Sequence, residues 1–409
     1  MSVVKVDRAT GSLVVDGRKV FPLVLSDGPP LGAKAPNGND ALAELAAGGA
    51  GFIRTGRHVW SSRSIEQQIA AEREVLDAAA AHGLHCWLRL GNVPNLSAGE
   101  LASNEQLLTR IVRQLKDQPA VGAWKGVDEP ANPNRPVRVP VAGLVRAHRK
   151  LQETDPSHPL VILQAPLGTV PQLAPYRPAF DITGADIYPV SYPPGKHAGG
   201  RNRDIGVVGD VTRKMVRAAG GKPVWMTLQV AWSGVIPSEQ HPGNVPRFPS
   251  LEQERFMAYQ AIVNGARGLV FFGGHLIRIA RPADAEAGWN WTFWERVLRP
   301  LLTELTSSAV APALVAPNAR SAVKASTGGV ELVTREAEGF LYVIAVRRAS
   351  GTSRVTFSGL PRRRDGQPIT GGEVLFEYVD DSFRTVAVSG NRFRDWFAQH
   401  DARVYRFQR

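Results

Sequence analysis

Ala120-Val-Gly-Ala-Trp-Lys-Gly-Val-Asp128-Glu129-Pro130 reads as a buried strand that runs into two adjacent carboxylates and is stopped by proline. Val121, Trp124 and Val127 carry strand propensity, and Pro130 cannot continue a sheet hydrogen-bond ladder. Two acids at a strand's C-terminal end are costly to bury for structure alone, and the polar sites of barrel folds collect at that end. The plainer alternative is a solvated acid pair capping the helix that follows.

Strand-like and helical segments alternate on both sides of this stretch. Apolar runs at Phe21–Leu25, Gly51–Thr55, His85–Leu90, Val121–Val127, Leu160–Leu163, Ile182–Asp186, Pro223–Leu228 and Gly268–Phe272 predict eight strands. Helical patterns occupy Asp40–Ala47, Ser64–Ala81, Asn104–Gln118, Val137–Glu153, Val207–Ala219, Leu251–Asn264 and Trp291–Ser307. Ser103 with Gln106 predicts a capping box at the start of the third helix. The connection around Val170–Tyr176 offers only a short turn of helix. This order predicts an α/β fold, a (β/α)8 TIM barrel over residues 21–311. An open doubly wound sheet would need a glycine-rich phosphate turn after its first strand, and Ser26-Asp-Gly-Pro-Pro30 is not one.

Val3 to Phe21 alternates apolar and polar residues around Ala9-Thr-Gly11 and Asp16-Gly17, predicting an N-terminal β-hairpin over residues 1–20. Beyond the barrel, Gly329–Thr334, Phe340–Val346, Ser353–Phe357, Glu373–Val379 and Arg403–Phe407 alternate between glycine- and charge-bearing turns. They predict a small antiparallel β-sandwich over residues 319–409, with the boundary in Ala309–Asn318, which holds two prolines.

The 409 residues, 43% hydrophobic and 21% charged, supply ample core for a large globular protein. No apolar run approaches the roughly eighteen residues that a membrane helix needs. The start, Met1-Ser-Val-Val-Lys-Val-Asp7, lacks a basic segment followed by a long apolar one, so the chain as read is expected in the cytoplasm. Cys86 is the single cysteine, which excludes intrachain disulfides and cysteine-rich metal sites. The net charge of +12 invites a nucleic-acid reading, but the arginines are scattered. The densest run, Arg362-Arg-Arg364, falls in a turn, and no nucleic-acid motif accompanies it. No His, Asp or Glu spacing suggests a metal, and no glycine-rich turn a nucleotide, so no cofactor is expected.

Residues at the C-terminal ends of barrel strands line one mouth. The candidates are Asp27 after the first strand, Arg54 at the second, Arg89 and Asn92 at the third, and Asp128 with Glu129 at the fourth. Gln164 ends the fifth, Asp186 and Tyr188 the sixth, and Gln229 with Trp232 the seventh. His275 follows the eighth, with Trp289 and Trp291 in the loop beyond. Carboxylates for proton transfer, amides and arginine for hydroxyls, and indoles for sugar C–H faces together suit a carbohydrate. Other residues fit structural roles: Glu254 and Arg255 an ion pair near a helix start, and His82, His85 and His148 internal contacts. Trp60, Trp87 and Trp124 suit a core as well as a ligand platform.

Four pieces carry a resemblance: Trp124-Lys-Gly-Val-Asp-Glu-Pro130, Ala185-Asp-Ile-Tyr-Pro189, Pro223-Val-Trp-Met-Thr-Leu-Gln229, and Glu254-Arg255 through Ala261-Ile-Val-Asn-Gly-Ala-Arg-Gly-Leu-Val-Phe-Phe272. In this order they resemble the strand-end signatures of clan A glycoside hydrolase barrels, which often append a β-sandwich. The resemblance implies hydrolysis of a glycan or glycoside, with Glu129 as general acid/base. It also implies a nucleophilic glutamate ending the seventh strand, where this chain carries Gln229, an amide that cannot attack. Asp128 likewise stands where the family usually has asparagine.

Three mechanisms stay open. Glu129 could work with Asp186 or Asp128, with Asp128 attacking and Asp186 donating in the manner of α-glycosidase barrels. Alternatively, Asp128-Glu129 resembles the adjacent pair of substrate-assisted N-acetylhexosaminidases. In the third case the barrel binds glycan without cleaving it. A carboxyl separation near 5 Å would favour retention and one of roughly 6.5–9.5 Å inversion.

Overall fold

The computed structural model describes residues 2–97, 99, 101–134, 139–192, 197, 202–231, 236–239, 241–321 and 323–409. Three short strands, β1 (Val4–Val6), β2 (Leu13–Val15) and β3 (Arg18–Val20), form an antiparallel sheet where a two-stranded hairpin was expected. Eight parallel strands follow: β4 (Leu23–Leu25), β5 (Phe52–Thr55), β6 (His85–Arg89), β7 (Val121–Lys125), β8 (Leu160–Gln164), β9 (Ile182–Ala185), β10 (Trp225–Gln229) and β11 (Gly268–Phe272). The seam between β9 and β10 is closed by parallel bridges, Thr183 to Val224 and Asp186 to Thr227. The barrel fold expected from the sequence is present.

Alternation fills the barrel. Val24, Phe52, Trp87, Ala123, Val161, Ile182, Trp225 and Val270 point inward, and Val4, Leu13 and Val15 close the floor beneath them. Side chains of the opposite parity, such as Leu88, Trp124, Ile162 and Leu228, pack against the surrounding helices. Gly184 makes the seam possible: a Cβ there would sit 1.6 Å from the Trp225 carbonyl oxygen.

The helices are α1 (Ala41–Ala47), α2 (Ile65–Ala81), α3 (Leu101–Leu115), α4 (Val141–Thr154), α5 (Val170–Leu173), α6 (Val207–Ala219) and α7 (Leu251–Val263). Helix α3 begins ahead of the expected capping box, so Ser103 lies inside its first turn. Residues 135–138, where the fourth helix was expected to begin, lie outside the described residues. After α8 (Pro282–Glu286), the single helix expected over Trp291–Ser307 is three pieces. These are α9 (Trp291–Phe293), a π-helical turn (Trp294–Leu298) and α10 (Arg299–Thr306). Pro300 lacks the N–H that would bond four residues back, and the wider turn absorbs that break. A short helix, α11 (Ala311–Val315), occupies the expected boundary stretch.

Two antiparallel sheets follow. One holds β12 (Lys324–Ala325), β15 (Ser353–Ser358) and β18 (Arg392–Phe397). The other orders β13 (Val330–Ala337), β14 (Phe340–Arg347), β19 (Ala402–Gln408), β16 (Gly371–Val379) and β17 (Ser382–Ala387). Leu341, Val343, Phe357, Phe393 and Phe407 fill the space between the sheets. The opposite face of the five-stranded sheet, with Tyr342, Ile344 and Val404, joins the core of the barrel's helix layer. Sequence reading missed β12, β17 and β18. In β18 the solvent face is Arg392, Arg394 and Trp396, so the alternation is present but masked by arginines.

Candidate active site

The C-terminal mouth opens into a cavity of about 550 Å³ lined by Arg54, Trp87, Lys125, Asp128, Glu129, Asp186 and Tyr188 among others. The chain leaving β7 builds one wall. Glu129 sits at φ 44°, a left-handed conformation that costs a non-glycine residue roughly 1–2 kcal/mol. Its N–H donates to the Leu163 carbonyl at 2.9 Å, and the Asn132 N–H donates to the Glu129 carbonyl at 3.0 Å, so backbone bonds hold the turn. The Asn132 amide nitrogen also donates to Glu129 Oε2 at 2.7 Å, which orients the carboxyl.

Inward parity brings Lys125 two residues above Ala123 and into the cavity floor, 1% exposed. Its ammonium lies 5.4 Å from the centre of the Trp87 ring and donates to Asp128 Oδ1. Burial pushes the lysine pKa down, and Asp128 partly restores it. Asp128 faces the cavity with about half its side chain, 52%, open to it. Its removal from bulk water raises its pKa, but the charge and hydrogen bond of Lys125, with Arg54 and Arg89, outweigh this and hold the carboxyl below its usual range.

Asp186 behaves oppositely. Its N–H donates to the Gln164 carbonyl at 3.3 Å, which sets the residue just past β9. Burial first, then the negative charges of Glu129 and Asp128, push its pKa well up, and its carboxyl hydrogen-bonds that of Glu129. Asp186 is thereby held toward its protonated form. His197 Nε2 stands 3.8 Å from Asp186, and its Nδ1 accepts from the Tyr188 N–H at 3.1 Å. Burial lowers the His197 pKa to about 4, which keeps the ring neutral. Tyr188 is stacked between His197 and Phe272, with centroids at 4.6 Å and 5.3 Å.

Behind the opposite wall, Asp27 binds Arg54, Arg57 Nε at 3.3 Å and His275 Nδ1 at 3.0 Å. Burial opposes its ionisation, but His275 and Arg54 prevail and hold its pKa at about 2. Arg54 reaches the cavity, whereas Asp27 and His275 anchor it from behind.

Of the sequence candidates, the cavity therefore gathers Arg54, Asp128, Glu129, Asp186 and Tyr188. Others are placed elsewhere. Gln164 has outward parity and accepts from the Ala131 N–H at 3.2 Å. Gln229 is fully buried and engages both backbone groups of Val190, accepting from its N–H at 3.0 Å and donating to its carbonyl. Asn92 is exposed in a turn. Trp289 and Trp291, expected as sugar platforms, are 1% exposed in the core, packed edge-on at 4.8 Å. The Trp289 Nε1–H is spent on the Asp27 carbonyl at 2.8 Å. Sequence reading took their large rings as loop residues, but Trp289 bonds inward to the Asp27 carbonyl and the short helix α9 turns Trp291 into the core. Trp232 lies outside the described residues. Lys125, Asn132, His197 and Thr227 line the cavity and were missed. Lys125 was legible, because strand parity puts it on the same face as Ala123.

Among the described residues, no group of three or more His, Cys, Asp or Glu is placed to hold a metal ion, and no helix is long and apolar enough to cross a membrane. Fold and site together define a (β/α)8 barrel with a carboxyl-rich mouth and an appended β-sandwich. Solved glycoside hydrolases are similar to this chain in fold. A family 5 glycoside hydrolase from Bacteroides vulgatus aligns over 99% of this chain and 93% of its own, at 13% identity and a TM-score of 0.64. An α-amylase from Anoxybacillus covers 95% of this chain and 98% of its own, at 10% identity and a TM-score of 0.59. A family 30 endoxylanase from Clostridium papyrosolvens matches over 100% of both chains, at 10% identity and a TM-score of 0.54. At such identities the likeness is one of fold. No family model matches the chain, and no curated protein matches it.

Proposed function

We propose that this protein hydrolyses a glycosidic bond in a glycan or glycoside, with Glu129 as general acid/base, Asp186 as its partner carboxyl and Asp128 as a permanent anion. The observation that carries this reading is the gathering of three carboxyls in one cavity, two of them in opposed surroundings: burial and the neighbouring acids push the Asp186 pKa well up, and the hydrogen-bonded Lys125 holds that of Asp128 down. Pairs of acids with opposed environments mark acid and base roles.

The Glu129–Asp186 pair passes its shared proton to the glycosidic oxygen as the C–O bond breaks. Asp128 meets the positive charge left on the anomeric carbon. Water then adds there and returns its proton to the pair. Phe272, partly exposed in the cavity wall, offers an apolar surface to sugar C–H groups, and Arg54 and Asn132 offer donors to hydroxyls. Gln229 supplies no nucleophile, which moves the partner role to Asp186 and Asp128.

The test is to assay wild type and Glu129→Gln against a panel of aryl glycosides and polysaccharides. Cleavage by wild type and its loss in the variant are expected. A wild type that binds a glycan but cleaves nothing overturns the hydrolase reading. Full activity in Glu129→Gln overturns the assignment of the acid.

A further inference from the structure

We infer that Lys125 is a positioning residue: its buried ammonium grips Asp128 from the cavity floor and fixes that carboxyl beside Glu129 and Asp186. The starting point is an anomaly of parity. Position 125 belongs to the inward face that carries Ala123 in the layer below and meets Trp87 on the neighbouring strand β6, a setting that favours an apolar side chain. An ammonium there, 1% exposed, has lost its hydration and needs a fixed counter-charge. Asp128 provides it, three residues on, through a direct hydrogen bond.

The reverse dependence has the larger consequence. Asp128 is faced by Arg54 from β5, Arg89 from β6, Lys125 from its own strand, and Asp186 and Tyr188 from beyond β9, with Glu129 adjacent in sequence. Three carboxyls thus meet in one cup, and mutual repulsion would leave them competing for protons. Of the three cations, Lys125 is the one in hydrogen-bond contact with Asp128. It therefore removes Asp128 from the competition and leaves Asp186 as the carboxyl pushed toward its proton. Trp87, held edge-on by Trp225 at 6.3 Å, backs the lysine chain and leaves its ammonium directed at Asp128. The value of this arrangement for hydrolysis rests on the glycosidase reading; the hold of Lys125 on Asp128 does not.

The experiment is a carboxyl-carbon NMR titration of the full chain, with the Asp128 signal assigned through Asp128→Asn. In wild type, Asp128 should stay ionised at pH values where Asp186 is still protonated. Lys125→Met keeps the length and the apolar contact with Trp87, and should raise the Asp128 midpoint by about one pH unit or more. Lys125→Arg should return most of that change. The acid limb of the kcat/KM profile should move upward with the midpoint in Lys125→Met. An unmoved Asp128 midpoint in Lys125→Met overturns the inference. So does a wild-type Asp128 that titrates with or above Asp186, a result that does not depend on Lys125→Met folding. If wild type hydrolyses no glycoside while the Asp128 midpoint moves as expected, the hydrolase reading falls and the hold of Lys125 stands.

Discussion

Two clusters of charge, one in the barrel mouth and one between barrel and sandwich, are built from the same residue types to opposite ends. At the junction, Asp210 on α6 receives both terminal nitrogens of Arg348 at 2.8 and 2.9 Å, together with Arg213. Glu331 on β13 takes Arg213 at 2.5 Å, Gln260 at 2.8 Å and Asn264 at 3.2 Å. Signs alternate, and although burial opposes it, both carboxyls are held below their usual pKa by these partners. In the mouth, three carboxyls crowd together and one of them is forced upward. The first pattern is what a joint between two packed layers requires. The second costs stability and makes sense only where a proton has to move.

The contrast can be broken by substitution. Asp186→Asn should lower kcat/KM on a cleaved glycoside by roughly 10²–10⁴-fold. Its denaturant midpoint should hold or rise, because repulsion with Glu129 is relieved. Glu331→Ala should do the converse: it strips a mostly buried partner from Arg213 and Arg348, costing about 3 kcal/mol in urea unfolding with kcat/KM unchanged. If Glu331→Ala cost more activity than Asp186→Asn, the division between joint and site would fail. Trp289→Phe sharpens the boundary between core and platform. Losing the bond to the Asp27 carbonyl and part of the ring should cost about 1–2 kcal/mol of stability and leave KM unmoved.

The finest test concerns a carboxyl that belongs to neither cluster. Glu254 on α7 is fully buried, neither oxygen has a hydrogen-bond partner among the described residues, and burial alone drives its pKa well up. Folded protein thus holds a proton that unfolded chain releases above the ordinary carboxylate pKa. Stability from this group is full below that pH and is lost as pH rises toward the folded value. Glu254→Gln should match wild type near pH 4 and exceed it increasingly toward pH 8 in paired urea titrations.

Glu254 also shows where sequence reading stops. It was expected to pair with its neighbour Arg255, yet successive helix residues face different directions, and Arg255 reaches Glu304 at 2.9 Å instead. The eight strands were legible because a parallel barrel needs apolar runs at regular spacing, and their ends located five cavity residues. What stayed hidden depends on direction or distance in space. Trp289 and Trp291 are loop residues by sequence but core residues by the turn that carries them. Gln164 ends a strand on the wrong parity for the cavity. His197 stands near Asp186 from a position that no strand or helix periodicity assigns to the cavity. Lys125 is the exception, since simple alternation already placed it inward.

Gln229 has a consequence for what position 229 can hold. Its amide uses a donor and an acceptor at once, one on each backbone group of Val190, in the segment that follows Asp186 and Tyr188. A glutamate cannot copy this, because its carboxylate would confront the Val190 carbonyl with no proton to offer. An acid introduced at position 229 would therefore unfasten the segment that follows Asp186 and Tyr188. Position 229 acts as a fastening, and its amide is the chemistry that the fastening requires.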